Sequence, residues 1–100
     1  MNELYVVDAI IRFRESTNSN EFSYHQIMKW YMKNRRRLGL AWVHWHAFER
    51  EIRSLAQRGY LKRSKAGNRA VFQITNKIYK LKEFLERKAG EGQQGPRPPG

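Results

Sequence analysis

One hundred residues with 40% hydrophobic and 13% aromatic side chains suffice for one domain with a modest core. Twenty Lys and Arg against nine Asp and Glu leave a formal net charge of +11, which speaks for an anionic partner, nucleic acid first. The chain has no cysteine, which excludes disulfide staples, zinc ribbons and thiol chemistry, and no apolar run approaches the ~18 residues of a membrane span.

The spacing predicts a first helix from about Glu3 to Arg14, with Leu4, Val7 and Ile11 on one face and Val6, Ile10 and Phe13 widening it. Ser16 to Asn20 should break it, because these short polar side chains compete for backbone hydrogen bonds. Ser23 followed by Gln26 is a capping box, and Phe22 and Ile27 are spaced for a hydrophobic staple. A second helix is therefore expected from Tyr24 to Asn34 or beyond, with Ile27, Met28, Tyr31 and Trp30 inward, and a very short strand around Phe22 is compatible with the pattern. Gly39 marks a turn after Arg35, Arg36 and Arg37.

A third helix is expected from Trp42 or Val43 to Arg58. Trp45, Phe48, Ile52 and Leu55 recur at the spacing of one buried face, and at ~100° per residue His46, Arg50, Arg53 and Gln57 fall roughly opposite. Gly59 should close this helix. A hairpin follows: Tyr60 to Arg63, a turn from Lys65 to Asn68, and a return strand from Arg69 to Thr75 in which Ala70, Phe72 and Ile74 alternate with more polar positions. A last helix, capped by Thr75 or Asn76, should reach about Lys88, with Ile78, Leu81 and Leu85 as its stripe. Residues 89–100, rich in Gly, Pro and Gln, read as a disordered tail after a folded unit of residues 1–88.

The charge is regional. Twelve cations lie between Lys29 and Arg69, opposed only by Glu49 and Glu51, so that stretch holds +10 of the net +11. His25, His44 and His46 make no metal set, because His44 and His46 point ~200° apart on a helix and no Cys completes them. No nucleophilic Cys, phosphate-cradling glycine motif or pair of carboxylates in an apolar setting is present, so neither catalysis nor a cofactor is expected. Trp42 is open to either packing or contact with a base.

The order helix, helix, helix, strand, basic turn, strand, helix resembles the winged helix-turn-helix family. Phe48-x-x-x-Ile52-x-x-Leu55-x-x-x-Gly59-Tyr60-Leu61 looks like a recognition helix passing through a glycine into a first wing strand. Val71-Phe72-Gln73-Ile74-Thr75 looks like the second wing strand and its exit. The resemblance implies an α+β fold of three helices, a two-stranded basic wing hairpin and a C-terminal helix. It also implies a double-stranded DNA-binding protein, a transcriptional regulator, with the third helix in the major groove and the wing on the phosphate backbone. His46, Arg50, Arg53 and Gln57 would face the groove, and Lys62, Arg63, Lys65, Asn68 and Arg69 the backbone, with Arg35, Arg36 and Arg37 gripping a phosphate path near the third helix. The segment from Arg35 to Val43 departs from the family, being bulky and basic where many members have a short polar turn. The amphipathic first and last helices are the expected surface of a homodimer. A nonspecific architectural or RNA-binding module, or a protein-interaction winged helix within a replication or transcription complex, are the alternatives. The expected compartment is intracellular, cytoplasm and nucleoid or nucleus, with no membrane.

Overall fold

The computed structural model describes residues 3–94. Seven elements follow one another: α1 (Glu3–Thr17), β1 (Glu21–Ser23), α2 (Tyr24–Leu38), α3 (Trp45–Gln57), β2 (Leu61–Ala66), β3 (Arg69–Ile74) and α4 (Lys77–Gln94). The class is α+β, with four helices and one three-stranded antiparallel sheet in the order β1-β3-β2.

α1 buries Val6, Val7, Ala9, Ile10, Ile11 and Phe13, a broad face that reaches most of the way around the helix. It continues past Arg14 to Thr17, where the Thr17 hydroxyl donates back to the Phe13 carbonyl at 2.7 Å and Asn18 adopts a left-handed φ of 59°. The polar run thus ends the helix a turn later than expected. Asp8, half-buried, accepts from Arg12 at 2.9 Å and faces Lys82 of α4 at 3.4 Å, which ties the first helix to the last.

The hairpin expected from sequence is joined by a third strand. β1 pairs with β3 through Glu21↔Gln73, Phe22↔Phe72 and Ser23↔Val71. Three residues cannot display a period of two, so β1 is specified by its partner in β3 rather than by its own pattern. The Ser23 hydroxyl then accepts from the Gln26 N–H at 3.2 Å, and the Gln26 side chain accepts from the Ser23 N–H at 2.9 Å. This reciprocal cap turns the chain from strand to helix without a loop.

α2 and α3 end alike. At α2, the Gly39 N–H bonds to the Arg36 carbonyl and the Leu40 N–H to Arg35, with Gly39 at φ 65°. At α3, Gly59 bonds to Ala56 and Tyr60 to Leu55, with Gly59 at φ 87°. Both are Schellman closures, which need a residue free to enter the left-handed region.

α3 starts at Trp45, not at Trp42 or Val43. The Tyr31 hydroxyl holds the Ala41 carbonyl, and Leu40 and Val43 pack against the core, so residues 40–44 run as a pinned non-helical link. β2 runs to Ala66, longer than expected, and the turn shrinks to Gly67-Asn68, with Gly67 at φ 65° in the first central position that a tight hairpin reserves for glycine.

Thr75 does not cap α4 with its side chain, because its hydroxyl donates to the Tyr60 carbonyl at 2.7 Å across the base of the hairpin. α4 extends to Gln94, beyond the expected end at Lys88. The remainder of the expected tail, residues 95–100, lies outside the described residues, as do residues 1–2.

The core gathers these elements around an aromatic chain. Phe13 meets Phe22 and Trp30 edge-on, Phe22 stacks on Phe72, and Tyr31 and Trp45 close on Phe48 from α2 and α3. Ile52 and Leu55 of α3, Leu61 and Ile74 of the sheet, and Ile78 and Leu81 of α4 are buried in the same core cluster.

Candidate nucleic-acid interface

α3 presents its cations because its other face is committed to the core. Phe48, Ile52 and Leu55 are buried, while His46, Arg50, Arg53 and Gln57 are exposed. Neither Glu49 nor Glu51 forms an ion pair with Arg50 or Arg53; the ion pairs among the described residues involve Arg12, Arg58 and Lys82 instead. An unpaired Arg on an exposed helix keeps all its donors free for a carboxylate, a phosphate or a base edge. The first turn of α3 is also open: its cap residue His44 makes no side-chain hydrogen bond to the helix N–H groups. That end carries the positive pole of the helix dipole.

The hairpin projects beyond the core. After Leu61, every residue of β2 is exposed. Register divides its cations between two faces. Arg63 pairs with Phe72 and Lys65 with Ala70, so they share the core-side face of the sheet, whereas Lys62 pairs with Gln73 and Arg69 with Ala66 on the opposite face. Asn68 sits in the turn.

Tyr24 is the first residue of α2. Its ring meets Phe72 edge-on at 5.0 Å. Its hydroxyl is buried with no hydrogen-bond partner, and burial pushes the phenol above its ordinary value. Arg53 from α3 and Arg63 from β2 both lie near enough to pull the other way, while Glu49 adds to the upward push. Tyr24 thus lies within electrostatic reach of one cation from the α3 row and one from the core-side hairpin row, with Glu49 of α3 also in reach. Beside it, where β3 runs on past the end of β1, Ser23, Tyr24, His25, Asn68, Arg69 and Ala70 line an open cleft. This brings Arg69 and Asn68 alongside the start of α2.

Arg35, Arg36 and Arg37 end α2 at the link that leads into α3. Arg36 and Arg37 are exposed, and Arg37 donates to the Asn34 side chain at 2.7 Å. Arg35 is half-buried over the Trp42 ring, 5.4 Å from its centroid. Tyr24 and His25 were not candidates by sequence. The pairing of β1 with β3 carries them to the hairpin, and the local pattern around Phe22 allows a short strand without naming its partner.

Among the described residues no group of His, Asp or Glu could hold a metal ion, and no helix is long and apolar enough to cross a membrane. Comparison with family models, with curated proteins and with solved structures gives no match in any of the three.

Proposed function

We propose that the protein is a winged-helix regulator that binds double-stranded DNA, with α3 in the major groove and the β2–β3 hairpin against the backbone. The observation that carries this reading is that Arg53 of the exposed α3 face and Arg63 of the hairpin both act on Tyr24 and neither is held in an ion pair. Helix and hairpin thus offer free cations on neighbouring surfaces, with Glu49 the acidic group beside them. Free cations on neighbouring surfaces suit a polyanion.

Roles divide by position. Arg50, on the exposed face of α3, reads a base edge with two parallel donors, the geometry guanine offers in the major groove. His46 and Gln57 flank it on the same face. Arg53, Arg63, Lys65, Arg36 and Arg37 neutralise phosphates, and the open first turn of α3 adds a further anion-attracting end. The protein supplies no catalytic group to this encounter. A two-fold dimer would use what α1 and α4 leave uncovered, chiefly Tyr5 and Phe84, which are 54% and 55% exposed.

Selection of sites from a randomised duplex library at two salt concentrations tests the proposal. Enrichment of one motif supports a sequence-reading regulator, and a two-fold motif supports the dimer. Salt-sensitive binding without a motif would reassign the surface to an architectural role, and absence of binding to any duplex would transfer it to an acidic protein partner.

A further inference from the structure

The link between α2 and α3 holds a tryptophan outside the core. Trp42 is 66% exposed, more than any other large hydrophobic residue described. Its neighbours are not loose. Leu40 closes α2 through its N–H to the Arg35 carbonyl at 2.8 Å, Ala41 is held by the Tyr31 hydroxyl, and Leu40 and Val43 pack against the core on either side. The backbone is thus fixed while the indole between these anchors is turned outward.

One side of the indole is occupied. The Arg35 guanidinium lies over the ring at 5.4 Å, a cation–π contact that limits its rotation. The exposure that remains leaves the ring open to a second planar group. The link is flanked in sequence by the exposed Arg36 and Arg37 of α2. A flat apolar surface backed by a guanidinium, in a segment flanked by further arginines, matches a planar aromatic ligand joined to an anionic backbone, which is the chemistry of an unpaired nucleotide. Bases inside a duplex have both faces stacked and cannot use such a platform.

We propose that Trp42, backed by Arg35, is a stacking site for an unpaired nucleobase, which gives the protein a preference for duplex ends that carry a single-stranded extension. The proposal rests on the reading of the basic face as a nucleic-acid surface. The rigid link sets Trp42 three residues before α3, so a base stacked there belongs to a strand leaving the duplex that α3 occupies.

The test uses the full chain with a blunt duplex and with the same duplex bearing a short thymidine overhang, read by fluorescence anisotropy and by tryptophan emission. The overhang should bind about 5- to 150-fold more tightly than the blunt duplex, the range one base–aromatic stack confers. It should also quench emission. Trp42→Ala should abolish that preference and leave blunt-duplex affinity unchanged. Trp42→Phe should keep part of the preference but lose the quench, although Trp30 and Trp45 still emit. Equal affinity of the wild type for the two DNAs, or a preference that survives in Trp42→Ala, overturns the stacking site while leaving duplex binding standing. Failure to bind either DNA overturns both readings together.

Discussion

Replacing Arg63 and Lys65 together by glutamine tests the proposed contact of the hairpin with DNA. Both lie on the core-side face of the sheet, exposed and outside any ion pair, so the change removes two charges with little loss of packing. Five cations, Arg36, Arg37, Arg53, Arg63 and Lys65, are assigned to phosphates. Each neutralised phosphate contributes about −0.9 to the slope of log affinity against log salt, which predicts a slope of about −4.5 for the native chain and about −2.7 for the double variant. Between roughly 50 and 200 mM salt the native affinity should then fall about 500-fold and that of the variant about 40-fold. Anisotropy titrations of one duplex across that range measure both slopes. Lys62→Gln, on the opposite sheet face, should leave the slope near the native value. An unchanged slope in the double variant, or an equal drop per charge in Lys62→Gln, would refute the assignment of the core-side face to the backbone.

Other expectations concern stability and assembly. Ile52→Ala deletes a fully buried side chain between α3 and its neighbours and should cost about 2–5 kcal/mol in urea unfolding. Gly39→Ala meets no atom within 4 Å of the new Cβ, so its cost is conformational alone, about 1–2 kcal/mol for a left-handed φ, and a loss well outside that range would contradict the open space around the turn. The Tyr24 phenol is raised in the folded chain, so the unfolded chain releases its proton first as pH rises. Its contribution is therefore complete below pH ~10 and is lost above it, and Tyr24→Phe should flatten the alkaline fall in melting temperature. Phe84→Ser should shift any dimer detected by sedimentation toward monomer without lowering the melting temperature of the monomer, because that side chain is 55% exposed.

Much of the fold is local enough to be read from the chain. The Ser23–Gln26 box fixes the start of α2, the glycines at 39 and 59 mark helix ends, and the spacing of Phe48, Ile52 and Leu55 sets which face of α3 is exposed. What escapes the sequence is set at a distance. The pattern around Phe22 allows the short strand β1, but its partner and register are set by the pairing of Phe22 with Phe72, fifty residues on. The far half of β2 has no alternation to detect, since Ser64, Lys65 and Ala66 are exposed on both faces and are held only through pairing with β3. The late start of α3 depends on Tyr31 reaching the Ala41 carbonyl. The position of Tyr24 within reach of both Arg53 and Arg63 was hidden for the same reason: residues far apart in the chain assemble around it, and none of them announces it.

β2 is the outer strand of its sheet, and one of its long edges has no neighbour. A bare edge is a template on which a strand from another molecule can add, the first step toward amyloid-like stacking. In this chain Lys62, Arg63 and Lys65 stand along that strand, and two copies approaching edge to edge would bring like charges together. Arg63 and Lys65, proposed to hold DNA, therefore join Lys62 in keeping free copies apart, and a polyanion bound to them would relieve part of that repulsion. Solubility at low salt then depends on side chains that the proposed contact with DNA would also use.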